Sequence, residues 1–273
     1  MAGEIGLPAG TPVVCGGGDG PVSAVGAACI RDGEFYLTFG TSAWIGGTTT
    51  EPFIDEDKTV FCFAHVIPGK YMPCGTMQAA GSSYSYIRHA LCDDMPYEKL
   101  NELIEKSPAG AENLIFLPYL LGERSPRWNP NTSAAFLGST PEHEKKDYVR
   151  AVIEGIAMNM ELILKAYRKQ AKIETMNLTG GGAKGQIVAQ ILADVLGVRF
   201  QMPDCVEAAT AIGAAVIAGV GVGVFDGFEE IRRFLKFEKQ VEPNKENQQV
   251  YEKLKPVFDE AYTCMLPLYE QLS

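Results

Sequence analysis

The sequence predicts an α/β domain whose sheet is largely covered by helices. Two observations carry this. Short apolar runs that stop at glycine alternate along the chain with longer stretches of helical periodicity. The composition is that of an ordinary globular chain: 273 residues, 46% hydrophobic and 21% charged. That length buries a full core without disulfide or metal staples and allows one large domain or two small ones.

Taken in order, Pro12-Val13-Val14-Cys15 is a short apolar run stopped by Gly16-Gly17-Gly18, and reads as a strand entering a glycine turn. Residues 35–39 form a second strand, preceded by the hairpin-type signal Asp32-Gly33 and stopped by Gly40-Thr41-Ser42; Trp44-Ile45 resumes it. Residues 77–91 and 97–104 read as helices, and residues 114–117 as a buried strand that breaks at Pro118. Residues 122–138, punctuated by Pro126, Asn129, Pro130 and Asn131, read as one long loop. A long helix begins at Glu142, because Val149, Val152, Ile153, Ile156, Met160, Ile163, Leu164 and Tyr167 repeat at i, i+3, i+4 and i+7. Residues 175–179 are a strand, Gly180-Gly181-Gly182 opens a helix running to about 196, and residues 198–202 are a further strand. Residues 207–220 form a small-residue helix, and residues 247–272 a final helical stretch expected to break at Pro256 and Pro267.

The net charge of −10 argues against a nucleic-acid or anionic-membrane binder, while leaving room for a small anionic ligand in a locally favourable cavity. Seven cysteines at 15, 29, 62, 74, 92, 205 and 264 and three scattered histidines have no metal-ligand spacing, so reduced thiols in a cytoplasmic protein are expected and no metal site is read. The first residues have neither the basic nor the apolar segment of a signal peptide. Residues 208–225 carry no charge, but their Ala and Gly content suits a helix pressed against a neighbour better than a membrane span.

Three glycine-rich turns follow apolar runs: 16–20, 40–42 and 180–185. Such turns let backbone N–H groups approach an anion, and a following helix N-terminus favours negative charge. Three in one chain point to a nucleotide or phosphate site. Residues 180–185 also match GxGxxG, with Asp204 at the spacing of a dinucleotide fold's ribose carboxylate. That supports a rival reading, an NAD-dependent oxidoreductase, although a Rossmann fingerprint usually opens its domain rather than following a long helix. Walker A and GxSxG patterns are both missing. Asp19, within the first glycine stretch, reads as a turn residue or as a carboxylate able to accept a hydroxyl proton. Glu123-Arg124 reads as a solvated pair, and Glu154 as solvated on the polar face of the long helix.

In sequence order, residues 14–26 (VCGGGDGPVSAVG), 37–44 (LTFGTSAW), 77–83 (MQAAGSS), 118–131 (PYLLGERSPRWNPN), 134–158, 177–196 (NLTGGGAKGQIVAQILADVL) and 207–219 (EAATAIGAAVIAG) resemble the C-terminal half of the FGGY carbohydrate kinases, most closely the xylulokinase type. The resemblance covers nearly the whole chain. GERSP, with Phe136-Leu137-Gly138 downstream and the Glu154-Gly155 helix, is its specific part. It implies an actin-like, ribonuclease-H-like ATPase fold, a mixed sheet covered by helices.

By position, the resemblance makes Asp19 the catalytic base, in contact with the sugar. Gly40, Thr41 and Ser42 become a phosphate loop, and Gly81 a nucleotide-pocket glycine. Gly181, Gly182, Ala183 and Lys184 fall in the adenosine motif. ATP and Mg²⁺ are the implied cofactors, and a sugar, D-xylulose first among pentuloses, the implied substrate; ribulose, gluconate and glycerol are the family's other options. This reading uses all three glycine loops, whereas the dinucleotide reading uses one. Gly20 stands where xylulokinases commonly have Asn, and Ser139 and Gln186 also depart from the usual pattern. Family members are about twice as long, with a DxGT phosphate loop and a metal-binding Asp in an N-terminal half. The expected organisation is therefore a terminal strand and loop of that half (1–30), a nucleotide-binding domain (31–225) and C-terminal helices packed on it (226–273). The missing N-terminal domain is an expected partner, surfaces it leaves could promote a homodimer, and the chain alone is expected to be inactive. A non-catalytic ATPase-fold module, such as a sugar-sensing regulator, is a third reading, against which Asp19 argues.

Overall fold

Strand β1 (Glu34–Phe39) sits at the centre of a seven-stranded sheet in the computed structural model, which describes residues 2–272. Its alternation fixes two faces. Phe35, Leu37 and Phe39 enter the main core, while Tyr36 packs on the other side with Ala24, Ala27 and Met72. On one edge β1 pairs antiparallel with β2 (Ala43–Thr48), which is followed outward by β4 (Tyr71–Met77) and β3 (Phe61–Ala64). On the other it pairs parallel with β7 (Thr175–Thr179), which pairs parallel with β8 (Arg199–Pro203), and β9 (Phe237–Val241) closes the edge antiparallel. The remaining strands, β5 (Ile115–Leu117) and β6 (Ala135–Leu137), form a separate pair.

The main-core face carries α2 (Gly81–Leu91), α3 (Tyr97–Glu105), α4 (Lys145–Arg168), α5 (Gln186–Leu196) and α8 (Lys245–Leu272). A capping box between Glu144 and Asp147 opens α4, and all eight of its expected core residues are fully buried. The opposite face carries α1 (Asp19–Gly26), α6 (Ala209–Gly221) and α7 (Ile231–Phe234). A Cβ on Gly26 would lie 1.6 Å from the Ala209 carbonyl oxygen, and one on Gly213 would lie 2.1 Å from that of Val22. The α1–α6 crossing therefore requires glycine on both helices, which accounts for the small residues of 208–225. Among the described residues no helix is long and apolar enough to cross a membrane.

The mixed sheet with helices on both faces agrees with the expected fold class. Several expectations are corrected. Residues 11–18 have no regular structure and Val13 is 96% exposed, because no described strand lies beside them to accept their hydrogen bonds. Asp32-Gly33 joins α1 to β1 rather than two strands. Met77 ends β4, so α2 starts only at Gly81, and β6 interrupts the expected 122–138 loop. The last helix runs unbroken through Pro256 and Pro267. Both prolines are exposed, as are Glu252 and Thr263, whose carbonyls they leave without a donor.

Candidate functional site

Two of the three glycine loops converge. The β1–β2 turn presents Gly40 and Thr41; the segment after β7, a 3₁₀ turn over Gly181–Lys184, presents Gly181, Gly182 and Lys184; Gly81 begins α2 between them. Together they line a cavity of about 1040 Å³, room for a nucleotide-sized ligand. Ser42 follows the turn and closes it, its carbonyl accepting the Gly40 N–H at 2.9 Å, and Ala183 is buried beneath the loop.

Close backbone approach builds the convergence. The Gly81 N–H donates to the Gly40 carbonyl at 2.9 Å, and a Cβ on Gly81 would stand 2.4 Å from that oxygen. Gly180 holds φ +94, a conformation that favours glycine, and a Cβ on Gly182 would strike Phe39 at 1.8 Å. The Gly180 N–H itself is spent on the Val206 carbonyl at 2.7 Å. The N–H groups of Thr41, Gly181 and Gly182, by contrast, have no protein acceptor among the described residues. Amides without a protein acceptor beside the N-terminus of α5 favour negative charge there. Lys184 adds a cation at the rim, with Nζ 2.7 Å from Glu207 Oε2.

The other wall is aromatic. Tyr84 and Tyr97 lie with ring centroids 5.1 Å apart, and Tyr84 donates its hydroxyl to Asn101 Oδ1 at 2.9 Å. Burial pushes the Tyr84 phenol well above its usual range, so it stays a neutral donor. Two packed tyrosines and an amide that lies against Gly185 share this cavity with the N–H groups and the cation, a lining that suits a ligand carrying a flat ring and phosphates. Tyr84, Tyr97, Asn101 and Glu207 escaped the sequence reading. The i, i+4 pair Tyr97 and Asn101 is the one local signal that could have flagged the wall.

Asp19 is not in this cavity. It is the first residue of α1, exposed, and lines a separate hollow of about 340 Å³ with Gly16, Gly17 and Thr210. The helix start is nevertheless tied to the sheet: Tyr36 donates its hydroxyl to the Gly20 carbonyl at 2.9 Å and accepts Trp44 Nε1–H at 3.0 Å. Those two residues lie on β1 and β2, the strands whose turn carries Gly40 and Thr41.

Two acidic residues behave otherwise than expected. Glu123 is buried and bonded to backbone rather than solvated: it accepts the N–H of Gln78 at 2.7 Å, that of Arg124 at 2.9 Å and Nδ2–H of Asn159 at 2.8 Å. Gln78 belongs to the link from β4 to α2, so Glu123 holds the approach to Gly81. Burial pushes its carboxyl up to about 7 against those three donors. Glu154 is fully enclosed, because α8 and the loop before β5 cover what sequence periodicity alone shows as a polar face.

Among the described residues no three His, Cys, Asp or Glu side chains gather to hold a metal ion. A Mg²⁺ ion carried on a nucleotide's phosphates needs no such cluster. β7, α5 and β8 do make a parallel strand–helix–strand unit, yet Asp204 does not line the cavity, and its Oδ1 accepts the Lys236 N–H at 3.4 Å.

The chain is similar to known carbohydrate kinases. Residues 35–222 match the C-terminal domain of the FGGY family of carbohydrate kinases. The chain is 32% identical over 264 residues to a xylulose kinase of Staphylococcus epidermidis, covering 96% of the chain and 53% of that protein. It is 28% identical over 285 residues to a gluconokinase of Bacillus licheniformis, covering 100% and 55%. The ligand-bound xylulose kinase of Lactobacillus acidophilus superposes with a TM-score of 0.92 at 30% identity, over 100% of this chain and 55% of that one. The chain spans about half the length of the curated relatives it matches. It belongs to the FGGY family of carbohydrate kinases, whose C-terminal domain it carries in an actin-like ATPase fold.

Proposed function

We propose that this chain is the nucleotide-binding part of an ATP-dependent sugar kinase that converts D-xylulose to D-xylulose 5-phosphate. One observation carries the nucleotide reading: Thr41, Gly181 and Gly182, whose N–H groups have no protein acceptor among the described residues, line a single cavity with Lys184, Tyr84 and Tyr97. The sugar is carried by likeness to xylulose kinases; the gluconokinase likeness, nearly as strong, supports gluconate as the second reading.

In this reading the phosphates of ATP lie on the two turns and the base lies toward Tyr84 and Tyr97. Asp19 takes the proton of the attacking sugar hydroxyl. That oxygen bonds to the γ-phosphorus as the bond to ADP breaks, and the electron pair leaves on the ADP oxygen. Positioning and charge neutralisation supply most of such catalysis. Mg²⁺ would arrive with the nucleotide and would neutralise phosphate charge. Residues 31–225 form the nucleotide domain. Residues 226–273 are not helices alone, since β9 completes its sheet before α8 packs on it. Residues 1–30, whose α1 packs on α6, lead from an N-terminal domain that supplies most of the sugar contacts. We place the enzyme in the cytoplasm, where ATP is supplied.

The test is D-xylulose phosphorylation by the full-length kinase with and without Asp19→Ala. We expect kcat to fall by about 10²-fold or more; near-normal turnover would reject Asp19 as the base, and preference for gluconate would replace the substrate.

A further inference from the structure

The acidic residue at the cavity rim is the least expected part of an anion site. Glu207 follows β8, immediately before α6, and its Oε2 lies 2.7 Å from Lys184 Nζ. Its Oε1 stands 3.0 Å from where a Cβ on Gly181 would sit. The carboxylate therefore lies against the same turn whose Gly181 and Gly182 N–H groups have no protein acceptor. Any phosphate seated on those amides meets a negative charge at close range, and must share the Lys184 ammonium with it. Both side chains are more than half exposed, so the ion pair is screened by water and parts at small cost.

We propose that Glu207 is a charge gate on phosphate binding: its carboxylate competes with a nucleotide's phosphates for Lys184 and sets how strongly the cavity favours each added phosphate. The proposal rests on the nucleotide reading of the cavity. It gives Lys184 two alternative partners, and gives Glu207 a specificity role without contact to the base or the sugar. Neutralising Glu207 should then strengthen phosphate binding, the opposite of what removal of a ligand-contacting residue does. Because the group acts on charge, its effect should grow with the number of phosphates and fade with salt.

The experiment is calorimetric titration of the chain and its Glu207→Gln and Lys184→Gln variants with ADP and with adenosine, at low and high salt. At low salt E207Q is expected to bind ADP about 3- to 10-fold more tightly, with adenosine unchanged; that factor corresponds to about 0.7–1.4 kcal/mol. K184Q should weaken ADP and leave adenosine alone, and the gain from E207Q should shrink in the K184Q background. Unchanged or weaker ADP binding by E207Q overturns the gate, as does equal tightening of ADP and adenosine. Absence of saturable ADP binding by the unmodified chain refutes the nucleotide reading itself and removes the gate with it.

Discussion

Arg150 donates Nε–H to Glu154 Oε1 at 2.6 Å, one helical turn along α4, with both side chains at least 95% buried. The pair is a junction. The Glu154 carboxylate also accepts the Gly110 N–H at 3.0 Å and the Tyr251 hydroxyl at 2.8 Å. The Arg150 guanidinium reaches the carbonyls of Ile104 and Ser107. It thus binds α4 to the end of α3, the following loop and α8. Burial pushes the Glu154 carboxyl up against the pull of Arg150. Removing one partner strands a charge in the interior, so Glu154→Ala should lower the unfolding free energy by about 3–5 kcal/mol. Urea denaturation measures this, and a loss under about 1 kcal/mol would mean the junction is not structural.

Gly81 admits no side chain without moving the β1–β2 turn, since its Cβ would meet the Gly40 carbonyl oxygen at 2.4 Å. Gly81→Ala should weaken ADP binding by about tenfold or more, equivalent to about 1.4 kcal/mol, while circular dichroism shows the helical content retained. Wild-type ADP affinity in this variant would place the ligand away from α2.

Glu123 makes a pH prediction. Its folded carboxyl is pushed up to about 7 from an ordinary 4.5, first by burial. The folded state therefore holds a proton that the unfolded chain has released. This contribution is full below about 4.5 and is lost as pH rises through about 7. Asn159, Arg127, and the amides of Gln78 and Arg124 face the group and moderate the effect. The stability of the native chain minus that of Glu123→Gln should fall between pH 5 and 7.5 and then level off. A difference independent of pH would show that Glu123 is ionised throughout.

His65 carries the opposite sign. Burial, aided by Lys70, lowers its imidazole to about 4 from an ordinary 6.5, and its Nδ1 accepts the Ile67 N–H at 3.0 Å. Its contribution is present above pH 6.5 and is lost as pH falls toward 4. Relative to His65→Asn, which keeps an acceptor for Ile67, the native chain should lose stability over that range. Parallel acid limbs in the two proteins would contradict the assignment.

Legibility followed how local each signal was. The buried repeat on α4 and the glycine stop after β1 are written within a few residues, and both appear where the sequence places them. β4 was unreadable because Pro73 and Gly75 disguise a strand that neighbours on both sides hold in place. β3, half exposed at the sheet edge, lacks a clear alternation. Gly16 to Asp19 resembled a turn after a strand, yet Asp19 opens α1 because α6 offers the groove that its small residues fill. The same physics hid Glu123 and Glu154. A carboxylate's burial is decided by elements distant in sequence, here α4 for the first and α8 for the second. Within the candidate site the glycines and Lys184 were legible by motif, whereas the aromatic wall and Glu207 required the packing of α2, α3 and α6 around them.

In the proposed function the cavity between the β1–β2 turn, α2 and the 180–185 loop takes an adenine nucleotide. Titration of the chain with ADP and, separately, with NADH tests it most directly. Saturable ADP binding that Gly81→Ala weakens about tenfold or more is expected, with no saturable NADH binding. Saturable NADH binding without ADP binding would contradict it.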